Sequence, residues 1–303
     1  MINKISGIMY LSKCKFGGWV TFTAHLSYRT GANIYSYSKV KRFSNFGYGK
    51  SVTYNTYQGS DLLISAVDSN YYSVLPRFYG SYLVIHDPTE LTDALLRELK
   101  NFRLITIRKT VQKLLLDKYK LESMFIPHPF YEYPVKKSET KEGAVCISRV
   151  DWDKHTDIIL KSNKISKKCI DIYGSVNRLY AFKALEELGF NDYYKGEFEK
   201  SFEELSNILS DSKYMVDMSA IKNDGGGTQY TFLEGIHNDC CLVLNKKWII
   251  QGGDFIDGVN CLAVKDEVEL ANIIDSNMDV SSIVKESKKL ISEHGENWRH
   301  YEI

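Results

Sequence analysis

The first 60 residues contain no aspartate and no glutamate, yet they carry eight lysines and arginines. Such a segment suits an anionic partner. Long apolar runs are missing as well. None approaches the roughly 20 residues of a membrane helix, so no span is expected. The opening MINKISGIMYLSKCK lacks an apolar stretch ahead of a small-residue cleavage site, which argues against a signal peptide. Proline is scarce, with five residues, all between Pro76 and Pro134. No CxxC pair occurs among Cys14, Cys146, Cys169, Cys240, Cys241 and Cys261, and most of them lie in apolar stretches such as DCCLVL. Buried free thiols in a reducing, cytoplasmic setting are expected, with zinc ligation or a disulfide framework as rivals.

What is present is an ordinary globular composition. The 303 residues are 44% hydrophobic and 25% charged, enough for two modest domains with cores of their own. The net charge of +1 conceals two halves of opposite sign. Residues up to Lys136 hold 18 basic and 9 acidic side chains, and the remainder holds 21 basic and 29 acidic.

The pattern along the chain alternates strands and helices. KISGIMYLS reads as a strand and WVTFTAHLSYRTG as a helix stopped by Gly31. DLLISAV and YLVIHD are short apolar runs suited to buried parallel strands. TELTDALLRELKN and TVQKLLLDKY have helical spacing, and FRLITIR and SMFIPHP read as strands. The polar stretch Tyr131 to Gly143 is the best linker candidate. A second series follows, with strands GAVCISRV, KCIDIYG, KYMVDMS and CCLVLN, and helices that include VNRLYAFKALEELG and TQYTFLEGIHND. No internal repeat stands out. The expected fold is α/β: two Rossmann-like domains facing each other across a cleft. The divisions are 1–135, a linker 136–143, 144–280, and a C-terminal helix 281–303 that packs back on the first domain.

Four motifs carry chemistry. In ISRVDWDKHTD, Arg149 and Lys154 follow a strand directly, where ligands of open α/β sheets bind. Two cations there can hold a diphosphate, although solvated loop charges would read the same. In DGGGTQYTFLEGI, three glycines precede a helix, so free amides and a positive helix end lie beside a loop without side chains. No GK[ST] follows, so this is not a Walker motif. Gly17 and Gly18 precede the first helix and allow the same close approach. His86 and Asp87 end an apolar strand, although a lone histidine is often structural.

The order of these features resembles the GT-B glycosyltransferases, specifically the large retaining family 4, over nearly the whole chain. Strand-Gly17-Gly18-helix resembles its acceptor-side loop, Ile85-His86-Asp87 its strand-end histidine, and Arg149 with Lys154 its Arg/Lys pair. IDIYG ending in Gly174 resembles its next strand-glycine, and Glu234 the second glutamate of its Glu-x7-Glu motif. The first glutamate of that motif would fall at Gly226, and Asp224 is its candidate substitute. QYTFLEG also resembles a stretch in the DNA α-glucosyltransferases of T-even phages, which act on 5-hydroxymethylcytosine and likewise carry a His-Asp at a strand end. The resemblance implies transfer of a sugar, glucose from UDP-glucose first, with retained configuration and without a metal. Arg149 and Lys154 would hold the diphosphate. Gly227, Thr228, Tyr230 and Thr231 would cradle it, and Glu234 would bind the ribose. His86 and Asp87 would face the transferred sugar. Gly17 and Gly18 would let the first loop approach the phosphate.

The acceptor is the open part. YSYSKVKRFSNFGYGKSVTYNTY interleaves Lys39, Lys41, Arg42 and Lys50 with Tyr48 and other aromatics, the composition of a nucleic-acid groove. Arg97, Lys100, Arg103, Arg108, Lys109, Lys113, Lys118 and Lys120 add a second basic stretch. A hydroxymethylated base in DNA is the leading expectation, within a host cytoplasm if the chain is viral. A lipid-linked or polysaccharide acceptor at an anionic membrane surface is the rival. A third reading, favoured by Gly226, is a non-catalytic nucleotide-binding protein with a degenerate site. No obligate protein partner is expected.

Overall fold

The structure, a computed structural model, describes residues 5–15, 17–37, 40, 43, 62–198, 201–220, 227–250, 253–296 and 298. The chain separates into two compact units. Unit 1 is Met1–Glu132 with Ser292–Ile303, and unit 2 is Tyr133–Ile291. The second crossing lies inside the helix Ser281–Glu296.

Unit 1 is built on six strands: β1 (Gly7–Leu11), β2 (Asn33–Ser36), β3 (Leu62–Val67), β4 (Tyr82–Ile85), β5 (Arg103–Thr106) and β6 (Met124–Phe125). Their order in the sheet is β2-β1-β3-β4-β5-β6, and every pairing is parallel. β1, β3 and β4 are buried at every residue. This is why they read as unbroken apolar runs rather than alternating ones: helices cover both faces of a parallel sheet. The first of these helices, Gly18–Thr30, ends at Gly31, whose φ of 72° turns the chain out of the helix.

Unit 2 repeats the plan with β7 (Gly143–Ile147), β8 (Ile170–Tyr173), β9 (Tyr194–Gly196), β10 (Ser212–Asp217), β11 (Cys241–Asn245) and β12 (Leu262–Val264). The order is β12-β11-β10-β7-β8-β9, again all parallel. Counted from β7 as the first strand, this is the 3-2-1-4-5-6 order of dinucleotide-binding sheets. Each unit is therefore a Rossmann-like sheet flanked by helices, as the alternating sequence pattern predicts.

Two elements differ from the sequence reading. The helix expected over 176–189 is broken into Arg178–Tyr180, a wide π turn Ala181–Leu185 and a 3₁₀ turn Glu186–Leu188. The π turn leaves Leu185 fully buried and Phe182 outside, 71% exposed. The strand expected at SMFIPHP shrinks to Met124–Phe125, because Pro127 and Pro129 have no N–H to give to a ladder.

Unit 1 also buries four histidines, His25, His86, His128 and His294. Phe22 meets His86 edge-on at 4.8 Å and His128 at 6.4 Å, and His128 lies 6.2 Å from His294. Burial holds the His86 imidazole down at about 4 and the His128 imidazole well below its ordinary value. In the unfolded chain both take up protons near pH 6.5. Below that pH the unfolded state binds more protons than the folded one, so stability present above 6.5 is lost as pH falls toward 4. His86 alone accounts for about 3 kcal/mol across that window. Urea titrations should show the unfolding midpoint of unit 1 falling between about pH 7 and about pH 5. A midpoint constant over that range would contradict neutral burial of these rings.

Candidate functional site

In an open α/β sheet, the crevice for a ligand opens at the carboxyl ends of the strands where the order reverses. In unit 2 that point lies between β7 and β10. The sequence places Arg149 and Lys154 after β7, and the structure puts a charged network there. The Lys154 side chain is 7% exposed. Its ammonium donates to Ser219 Oγ at 2.8 Å and to Gln229 Oε1 at 2.7 Å. Asp217, the last residue of β10 and 2% exposed, stands 3.8 Å away and supplies the counter-charge. Asp217 Oδ1 in turn accepts the Ser219 amide at 2.8 Å and the Ser219 hydroxyl, which fixes the turn after the strand.

Arg149 is different. Its guanidinium donates to Asp151 at 2.9 Å and to Asp153 at 3.1 Å, with half of the side chain in solvent. Exposed pairs of this kind hold little energy, so the side chain can exchange partners. The turn carrying it is held from below by Gly174. There φ is 137°, and a Cβ would stand 2.0 Å from the Ser148 carbonyl oxygen. The absence of a side chain at Gly174 thus serves the approach of the β8 end to the Ser148–Arg149 backbone. Asp151 caps the short turn Trp152–Lys154 and also accepts from Asn177 Nδ2 at 2.9 Å.

The helix after the glycines starts at Tyr230 and runs to His237. Its N-cap, Gln229, makes no side-chain cap, and no acid lies in the first turn. Gln229 Nε2 and Thr231 Oγ1 are buried donors with no hydrogen-bond partner among the described residues. Gly227 O accepts from Trp248 Nε1 at 3.2 Å, and Thr228 Oγ1 donates to Asp254 at 3.2 Å. Glu234 is fully buried. Burial first and the Glu234 carboxylate second push the Tyr133 and Tyr230 hydroxyls well above their ordinary range. Asp224 and Gly226 lie outside the described residues.

In unit 1 the order reverses between β1 and β3, and Asp68 beyond β3 accepts from Ser12 Oγ and from the Lys13 amide at 3.0 and 2.8 Å. Gly17 caps the first helix with φ 91°, and neither Gly17 nor Gly18 would bring a Cβ within 4 Å of another group. His86 Nε2 donates to Ser65 O at 2.7 Å, which fixes the tautomer and leaves Nδ1 as an acceptor. Asp87 is turned into a local cap, with Oδ1 accepting from the Thr89 amide at 2.8 Å. Beside them stands Glu90, which the sequence reading passed over. Its two oxygens accept from Trp19 Nε1 and from the His86 amide, both at 2.9 Å. Asp217, Gln229 and Trp19 were also passed over. Asp217 alone carried a signal, an acid closing an apolar strand.

The described basic residues of unit 1 do not form one face. Chain direction puts Lys13, Lys15, Arg108 and Lys109 after strand carboxyl ends. Arg97, Lys100, Arg103, Lys118 and Lys120 lie at the opposite end of the sheet: Arg103 opens β5, and the others come before β5 or β6. Arg103 packs on the Tyr82 ring at 3.8 Å and donates to Gly80 O. Lys39, Lys41, Arg42, Tyr48 and Lys50 lie outside the described residues. No cluster of metal-ligating side chains and no helix able to cross a membrane occurs among the described residues.

The Lys154–Asp217 pair gives a direct test. Lys154→Met leaves a buried carboxylate without its cation and should cost about 3–5 kcal/mol. The double variant Lys154→Met/Asp217→Asn should recover most of that, because both charges leave together. Urea unfolding of the three chains measures it, and simple additivity of the two changes would refute the pairing.

The sequence matches no protein-family model and no curated protein. Solved structures do match. HepE of Anabaena in complex with UDP-glucose aligns with TM-score 0.72 and 13% identity, over 97% of each chain. A glycosyltransferase from Rickettsia africae aligns with TM-score 0.66 and 13% identity, over 99% of this chain and 95% of that one. An α-glucosyltransferase in complex with UDP aligns with TM-score 0.65 and 13% identity, over 97% and 95%. Strand order, parallel pairing and these full-length alignments agree: the chain has the two-domain fold of the GT-B glycosyltransferases.

Proposed function

We propose that this protein is a retaining glycosyltransferase that moves glucose from UDP-glucose to the hydroxyl of a hydroxymethylated base in DNA. The observation that carries the donor half of this reading is the ammonium of Lys154, buried at the switch point of unit 2 and set beside an uncapped helix start. A diphosphate leaving group develops negative charge as the glycosidic bond breaks. Fixed cations and amide dipoles in a poorly hydrated site stabilise that charge. Lys154 supplies a cation already oriented by Asp217 and Ser219. Arg149 supplies a second, free to leave Asp151 and Asp153 for phosphate oxygens. The amides of Thr228 to Thr231, with Gln229 Nε2 and Thr231 Oγ1, supply donors. These groups do the work that a metal ion does elsewhere, so the reaction proceeds without one. By their places in the motifs, Glu234 is assigned to the ribose and His86 to the transferred sugar. The UDP-glucose and UDP bound in the similar structures support the donor's identity.

The DNA acceptor is supported by the excess of positive charge in the first 136 residues, by the resemblance of QYTFLEG to the phage DNA α-glucosyltransferases, and by the α-glucosyltransferase among the similar structures. A base in a duplex must leave the stack to reach an enclosed site, at a few kcal/mol that phosphate contacts offset.

Incubation with radiolabelled UDP-glucose and DNA with or without hydroxymethylcytosine tests both halves. Label should enter only the hydroxymethylated DNA. Arg149→Ala should lower transfer about 100-fold while leaving thermal stability almost unchanged, because its ion pairs are exposed. Label found instead in a lipid or polysaccharide fraction would move the acceptor, and release of no label would remove the activity. Affinity for duplex DNA should fall at least about tenfold between low and moderate salt, and a flat salt dependence would exclude DNA.

A further inference from the structure

We propose that Glu90 is a positioning residue of unit 1, clamping the start of the first helix to the strand end that carries His86. The inference rests on the proposed transferase reading only for its kinetic test. One oxygen of Glu90 accepts from the indole of Trp19, at 2.9 Å, one residue beyond the Gly17–Gly18 turn. The other accepts from the backbone amide of His86, also at 2.9 Å. Glu90 sits four residues after His86, in the short turn Pro88–Glu90 that Asp87 caps. The carboxylate therefore joins two segments more than 60 residues apart in sequence. Both carry residues that the sequence pattern points to. The Gly17 carbonyl is held within the helix by the Thr21 amide and hydroxyl, at 3.1 and 3.2 Å, and the Glu90 bridge ties that helix start to the His86 strand end. The His86 and Trp19 rings lie 6.1 Å apart, tilted to each other, which is the same junction seen from its apolar side.

The charged surroundings of Glu90 are defined. Asp87 stands on its own turn, Arg108 acts on it electrostatically from beyond β5, and the His86 amide and the Trp19 indole make its hydrogen bonds. Burial first, then Asp87, pushes the Glu90 carboxyl up to about 8, against the lowering by its two N–H donors and Arg108. Below that pH one oxygen carries a proton and accepts less well. Above it both oxygens accept with full charge, and the clamp tightens.

Glu90→Gln is the variant of choice, since it keeps size but sets an NH₂ group against one of the two N–H donors. The first readout is the indole N–H resonance of Trp19, identified by its loss in Trp19→Phe. It should titrate with a midpoint of about 8 in the natural chain and not at all in Glu90→Gln. The second readout is turnover of radiolabelled UDP-glucose. In Glu90→Gln kcat should fall about tenfold, KM for UDP-glucose should change less than twofold, and the rise in kcat through pH 8 should disappear, with thermal stability retained. An indole resonance that does not titrate near 8, or that titrates equally in both chains, overturns the clamp. So does an unchanged kcat in Glu90→Gln. A natural chain that turns over no UDP-glucose refutes the proposed activity instead, and the indole titration then decides the clamp by itself.

Discussion

The switch-point region of unit 2 is organised around one ion pair, Lys154 with Asp217. A buried ammonium is costly unless it is paired, and Lys154, with 7% of its side chain exposed, has Asp217 at 3.8 Å. The pair exists because of topology. β7 and β10 are sequence-distant strands, and only their parallel adjacency brings the residues after one to the end of the other. The same adjacency creates the crevice. Hence the residues that stabilise the charge and those that would meet a ligand are largely the same set. Ser219 passes a hydrogen bond from Lys154 to Asp217, and Gln229 holds the ammonium from the helix side. A buried cation with fixed partners is pre-oriented, and it spends no reorganisation when charge develops opposite it.

Lys154 and Arg149, paired in the sequence motif, are held in different ways. Lys154 is fixed and Arg149 is loosely held by two exposed carboxylates. In the proposed reaction, one rigid and one movable cation would bind a diphosphate and still release it, with Arg149 returning to Asp151 and Asp153 as the anion leaves. Gly174 belongs to the same device from behind. With a side chain there, the Ser148 carbonyl would have to move, and the Arg149 turn with it.

Much of the fold was legible because parallel strands buried on both faces advertise themselves. GIMYL, LLISAV, YLVI and CLVLN contain few or no polar interruptions, and each is a strand. The helix start after the glycine run and the stop at Gly31 follow from local backbone chemistry and were equally readable. Partnerships across the chain were not. Nothing in KYMVDMS announces that Asp217 faces Lys154, and nothing in HDPTE announces that Glu90 reaches Trp19, because both depend on strand order. Asp87 illustrates the reverse. Its place at a strand end reads as chemistry, and the structure employs its side chain to cap the next turn.

The charge of unit 1 has to be read with the same geometry. A count of lysines and arginines suggests one broad basic surface, but helices that run antiparallel to their strands carry their C-terminal cations to the wrong end. Lys118 and Lys120 follow the helix dipole, as basic residues in a last turn do, and Arg103 is occupied by Tyr82 and Gly80. Those left at the carboxyl end, such as Lys13 and Arg108, stand beside groups that already hold opposite charge or a buried proton: Asp68, Glu90 and His86. An anionic acceptor at this end of the sheet would therefore meet a mixed field rather than a uniform basic one. If it drew on Arg108, its approach would raise the proton affinity of Glu90 and His86, and acceptor binding would then be coupled to their proton state through that arginine.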